Sequence, residues 1–328
     1  MSPLNSAYFT NGSIVHPDFF FISGFAGIPH TNYYYVFLGF VYAVTVLANT
    51  FVMFMIYTDR CLHSPKYIVI FNLAVSDLCG STAFIPQMID TFLFKSHLIS
   101  FEACLTNMFF VLDFLTMQSF TLTVLSYDRC VAICFPLRYN EIVTNKSMLL
   151  ITAILWIIAG TAILIAVIFI NTLSFCKSTV VHSYFCDHGI IHRMACNDNT
   201  PSSVIVWSHP IMIFWFPSLF IMVTYICIGR ALLKITASER LKAMKTCTSH
   251  LILVSVFYLP LCLSIALGST IHMNARIINV SLATALPPML NPIIYSLNTE
   301  EFSECIKKLY NGRNLVHATP TFLTFFLL

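Results

Sequence analysis

Residues 33–57 read YYYVFLGFVYAVTVLANTFVMFMIY. Twenty-five positions pass without a Lys, Arg, Asp or Glu. As a helix rising 1.5 Å per residue, the run reaches about 37 Å, enough to cross the roughly 30 Å hydrocarbon core of a bilayer. Residues 1–32 before it hold Asp18, no Lys or Arg, and aromatics instead of a leucine core. The run therefore reads as a retained spanning helix rather than a signal peptide.

The whole chain repeats this character. Of 328 residues, 58% are apolar and 9% charged, and the mean hydropathy is +0.81. Soluble domains carry roughly 45–50% apolar and roughly 25% charged residues. With so few charges the surface has to face lipid. A net charge of +3 is too small and too diluted for a nucleic-acid partner. Six more apolar runs follow, at about 67–92, 103–128, 147–170, 204–229, 246–267 and 276–297. Several contain Pro, which a packed membrane bundle tolerates when neighbours satisfy the freed carbonyls. The runs are too long and too uniform for the alternating strands of a barrel. The expected fold is an all-α membrane protein: a seven-transmembrane helix bundle with a short amphipathic helix after the seventh span. The expected divisions are an extracellular tail 1–32, the bundle 33–297 with a long outer loop 171–203, and a cytoplasmic helix and tail 298–328.

Orientation follows from the basic loops. With residue 1 outside, thirteen of the seventeen Lys and Arg fall on the cytosolic side, densest between Arg230 and Lys245. Lys95, Lys177, Arg193 and Arg276 fall outside. Asn11-Gly12-Ser13 is a glycosylation acceptor in the outer tail. Cys104, Cys176, Cys186 and Cys196 lie on the oxidising side, where four cysteines allow three pairings.

The motifs are ordered along the spans. Asn49 lies in span one and Leu62-His63-Ser64-Pro65-Lys66-Tyr67 in the first inner loop. Leu73-Ala74-Val75-Ser76-Asp77-Leu78 lies in span two. Ser126-Tyr127-Asp128-Arg129-Cys130-Val131-Ala132-Ile133-Cys134 ends span three, and Trp156 sits in span four. Lys242-Ala243-Met244-Lys245-Thr246-Cys247-Thr248-Ser249-His250-Leu251 opens span six, followed by Phe257-Tyr258-Leu259-Pro260. Pro287-Pro288-Met289-Leu290-Asn291-Pro292-Ile293-Ile294-Tyr295 closes span seven. In this order the chain resembles the odorant (olfactory) receptors, a branch of the rhodopsin-like G-protein-coupled receptors, over about residues 20–312. Its details look more like a fish receptor than a mammalian one. Cys130 departs from the usual Tyr, Gln118 from a frequent Glu, and the end 320–328 is unusually apolar.

The resemblance implies disulfides Cys104–Cys186 and Cys176–Cys196. It implies switch roles for Asn49, Asp77, Gln118, Asp128, Arg129, Tyr225, Tyr258, Pro260, Asn291, Pro292 and Tyr295. Arg129 rests on Asp128 and turns to Tyr225 and a G protein on activation. Asn49, Asn291 and Gln118 face Asp77 in a polar switch network with a place for a sodium ion, the alternative being a structural hydrogen-bond knot. No cofactor or other metal is expected, since bridges would occupy the thiols beside His182, His188 and His192. Cys305 is a lipidation site or a free thiol. Met108, Leu112 and Leu115 share one face of span three at helical spacing. Family position turns that face toward a ligand, with His209, Tyr258, Leu261, Cys262, Ser281 and Thr284 opposite. Val111 stands where amine receptors place an Asp, so a monoamine is not the expected ligand. The implied function is an odorant receptor of olfactory sensory neurons, at the plasma membrane, raising cyclic AMP through a stimulatory olfactory-type G protein. A trafficking chaperone is left open as a partner. The alternatives are a receptor for another chemical, peptide or lipid, or a small-solute transporter. No half-chain repeat or pore-like charge row supports transport, and no paired membrane carboxylates or metal pattern supports an enzyme.

Overall fold

The computed structural model describes residues 14–25, 30–94, 96–176, 178–197, 200–266, 272–298 and 300–313. The Asn11 acceptor, Lys95, Lys177 and the apolar end 320–328 lie outside them. Among the described residues, seven helices are long and apolar enough to cross a membrane. Span one is Asn32–Thr58, span two Pro65–Phe92, span three Phe101–Cys134 and span four Asn145–Asn171. Span five is built from Thr200–Pro210, a π-helical turn Ile211–Trp215 and Phe216–Leu232. Span six is Ala237–Ala266 and span seven Met273–Asn298, followed by the amphipathic helix Glu300–Arg313.

Local chemistry sets several helix starts. Pro65 takes the first position of span two, where its missing N–H costs nothing. The Ser100 hydroxyl accepts the Ala103 N–H at 3.2 Å. Thr144 and Ser147 close a reciprocal capping box at span four. Spans three and six differ most from their hydropathy limits. Span three runs six residues past 128, and span six begins nine before 246. Both extensions are polar helix that hydropathy alone leaves out, and they carry Arg129 and Lys245 on helices rather than loops.

Segments outside the spans fold as well. β1 (Phe19–Ile22) lies between β2 (Leu98–Ser100) and β3 (Val180–Val181), antiparallel to the first and parallel to the second. Phe20 and Ile22 point into the core while Phe19 and Phe21 stay exposed, the period-two pattern of a strand. Gly24 follows at φ 60°, and a Cβ there would collide with the Phe92 ring. Residues 171–197 also hold a short helix, His188–Arg193.

The core has two main parts. At the sheet end, Phe20, Phe84, Met88, Phe101, Phe175 and Tyr184 pack around Cys104 and Cys186. At the Arg129 end, Leu62, Tyr67, Leu125, Phe257 and Phe302 pack together. The outer faces are apolar as well: Phe40, Leu150, Ile157, Trp207 and Phe216 are all exposed. Span four is the most apolar of the seven and the least buried. An apolar exterior around a partly polar interior suits a chain solvated by lipid.

Candidate functional site: polar links through the bundle

Two prolines explain much of the site. A proline at position i leaves the carbonyl at i−4 without its helical donor. Pro217 frees Ile213, and the Ser119 hydroxyl of span three donates to that carbonyl. Pro292 frees Pro288, and the Asn49 amide of span one donates to it at 2.9 Å. Each polar side chain thereby repairs a bend in a neighbouring span.

Ser119 continues the link. Its oxygen lies 2.7 Å from the Tyr258 hydroxyl, so spans three, five and six meet at one buried point. Asn279 of span seven donates to the Pro260 carbonyl at 2.7 Å, bracing span six from the other side. Leu115, Leu261 and Cys262 pack against the core cluster that includes Tyr258.

The other ligand candidates sit elsewhere. Met108 is fully buried in the sheet-end core, with Leu112 against it. Ser281 is completely buried, and its hydroxyl meets Tyr34 of span one at 2.5 Å. It belongs to the contact between spans one and seven rather than to the Tyr258 group. Thr284 donates to the Val280 carbonyl at 2.9 Å. The Nε2 of His209 is buried without a hydrogen-bond partner among the described residues.

Above these, a cavity of about 220 Å³ opens between residues 182–190 and span seven. Tyr184, Asp187, Ile190, Arg276, Ile277 and Val280 line it, and Arg276 faces Asp187 at 3.9 Å. None of the nine sequence candidates lines it. Disulfides Cys104–Cys186 and Cys176–Cys196 frame this end, with Cα separations of 5.5 and 5.9 Å. Burial pushes the His188 imidazole down to about 4, with His192 adding to the shift and Asp187 opposing it.

Midway through the bundle, Asn291 donates to Asp77 Oδ2 at 2.7 Å. Gln118 approaches the same carboxylate. Asn49 does not join them, because the carbonyl freed by Pro292 claims its amide. Asp77 Oδ1 and Gln118 Oε1 remain buried without partners among the described residues. Asp113 turns toward span four at Gly160.

At the far end, Arg129 lies 3.7 Å from Asp128, and the Tyr139 hydroxyl donates to Asp128 Oδ1 at 2.7 Å. Tyr225 does not touch Arg129. It bonds His250 Nδ1 at 2.8 Å, its ring stacked on the imidazole, and His250 Nε2 reaches the Leu122 carbonyl at 3.1 Å. The Tyr295 hydroxyl is buried and unpartnered among the described residues. His250 stands inside the motif that opens span six, and Tyr139 lies in the turn after span three, yet sequence reasoning gave neither a role. For His250 the signal was a polar side chain set into an apolar helix. Cys305 is 2% exposed and packs inward beside Leu62 and Phe302. It faces protein rather than the leaflet, so a lipid chain has no outlet there.

Comparison with known proteins agrees with the fold. Squid rhodopsin shares the fold: its crystal structure superposes with a TM-score of 0.70 over 95% of this chain and 94% of that one, at 20% identity. Human olfactory receptor 51F2 is 34% identical over 306 residues, covering 91% of this chain and 89% of the relative. Rat olfactory receptor 1500 is 33% identical over 295 residues, covering 85% and 92%. The family model described as "Olfactory receptor" matches residues 38–313. The chain therefore belongs to the olfactory receptor family, as a multi-pass plasma-membrane, odorant-sensing receptor that works with a small ligand and a G protein.

Proposed function

We propose that this receptor binds a small, partly apolar odorant between spans three, five, six and seven, beneath residues 171–197, and activates a stimulatory olfactory-type G protein that raises cyclic AMP. The sheet end faces outward and the Arg129 end the cytosol, as the basic loops favour. Leu115, Tyr258, Leu261 and Cys262 form the floor of the site, with Met108, Leu112 and His209 above it. Ser281 and Thr284 act from span seven, Ser281 through Tyr34. Such a wall, apolar with a few polar handles, suits a small organic molecule.

One observation supports this reading above the others. The Tyr258 hydroxyl meets Ser119, which holds the Ile213 carbonyl freed by Pro217. A ligand touching Tyr258 acts on three spans at once, at a point where span five is already bent. If the ligand prefers one arrangement of that point, its affinity difference shifts the population. Moving the balance from 1:99 to 99:1 takes about 5.5 kcal/mol of differential binding. A small odorant supplies less, so activation is graded. At the inner end Arg129 leaves Asp128, Tyr225 exchanges His250 for Arg129, and Tyr295 swings on the Pro292 bend. Asp77 and Gln118 would supply oxygen ligands to a sodium ion in the resting receptor.

The test is cyclic AMP in cells that express the receptor with a stimulatory olfactory G protein. The panel spans amino acids, bile acids, nucleotides, aldehydes and short acids. An active compound is expected, and Arg129→Ala removes its response at unchanged surface level. A response that Arg129→Ala leaves intact, or that requires a different G protein, overturns the proposed coupling.

A further inference from the structure

At the Arg129 end, the turn after span one meets the helix after span seven. Asp59, Cys61 and Cys305 converge there, with their ligand atoms all within 4.8 Å of one another. Two elements more than 240 positions apart in the chain make this contact. Asp59 is extended, with φ −102° and ψ 117°. Its carboxylate accepts the Cys61 N–H at 3.0 Å and the Cys61 thiol at 2.9 Å, which fixes the pair. Cys305 approaches from a helix held in place by two neighbouring contacts. Lys66 and Tyr67 both reach Glu301, at 2.6 and 2.9 Å. Leu62 and Phe302 close the apolar side of the cluster.

We propose that Asp59, Cys61 and Cys305 form a zinc site that clamps the first turn to the helix after span seven. Two thiolates and a carboxylate are a donor set for a borderline-soft divalent ion rather than for magnesium or calcium. With Zn–S about 2.3 Å and Zn–O about 2.0 Å, ligand atoms around one ion stand about 3.3–3.8 Å apart. Side-chain rotation by about an ångström reaches that spacing. Cys305 is buried while Cys61 is exposed, so the ion enters from solvent beside Cys61 and a water takes the fourth position. Both thiols release their protons on binding, as zinc ligands do. The bound ion would fix the angle of the terminal helix against span one, next to the surface that a G protein would meet.

The full chain, purified in lipid nanodiscs with a phosphine reductant, is equilibrated with zinc salt, desalted and analysed for metal. Cys61→Ser and the isosteric Asp59→Asn are each expected to lose one bound zinc per chain, while Cys134→Ser loses none. Cys61 is exposed, so its replacement leaves the core undisturbed. Cobalt in place of zinc is expected to give a thiolate charge-transfer band that Cys61→Ser weakens. Zinc, but not magnesium, is expected to protect Cys61 from maleimide. Equal zinc content in Cys61→Ser and the parent chain overturns the proposal.

Discussion

The two ends of the bundle are held by different kinds of bond. The sheet end is fastened by backbone pairing among three strands and by two disulfides. The Arg129 end depends on single side-chain contacts: Arg129 with Asp128, Tyr139 with Asp128, Tyr225 with His250. Neither a strand ladder nor a covalent bridge exchanges partners readily within the folded chain. A lone side-chain hydrogen bond contributes only about 0.5–1.5 kcal/mol net and exchanges partners readily. One end is built to keep its shape and the other to change it, as a receptor that converts binding into motion requires.

The largest effect should come from breaking the rigid end. Cys104→Ser is expected to lower stability by about 2–5 kcal/mol, the usual loss for a native bridge. Surface expression and thermal unfolding in nanodiscs measure it. An unchanged melting point would mean that the strands alone carry that end.

Acid should weaken the same end by a smaller step. His188 is neutral in the folded chain, with its pKa pushed down to about 4, chiefly by burial. An unfolded histidine titrates near 6.5. Between these values the unfolded chain binds more protons, so stability falls as pH drops from about 6.5 toward 4, by up to about 3 kcal/mol. His188→Gln is expected to flatten that dependence. Melting points from pH 7 to 5 measure it, and parallel slopes in the two proteins would remove His188 as the cause.

The smallest stability change should come from the Arg129 end. Tyr225→Phe removes the bond to His250 and costs about 1 kcal/mol. Its readout is signalling rather than melting. Basal and ligand-driven cyclic AMP should change while surface level holds. If melting falls as far as for Cys104→Ser, the contrast between the ends fails.

Much of this architecture was legible in the residues. Long runs free of charge, such as 33–57, mark spans because the bilayer demands both length and apolarity. The span ends were less legible. Hydropathy stops at the first polar turn, whereas Arg129 and Lys245 stay helical on either side of it. The strand Phe19–Ile22 was read as tail, since four residues that pair with segments about 80 and 160 positions away leave no local period. The candidate site was legible by residue type but not by partner. Asn49 suited Asp77 on chemistry, yet a proline four positions beyond Pro288 redirected its amide. Ser281 suited a ligand, yet Tyr34 claims it. Competition among donors for one acceptor is settled in three dimensions.

The strand Phe19–Ile22 also sets how this protein can be handled at the bench. Val15 and Asp18 already make backbone bonds, to Phe175 and Phe101. A reporter fused ahead of Ile14 leaves these pairings untouched. Trimming past Val15 begins to unzip them, and a cut past Ile22 bares two strand edges facing an empty slot.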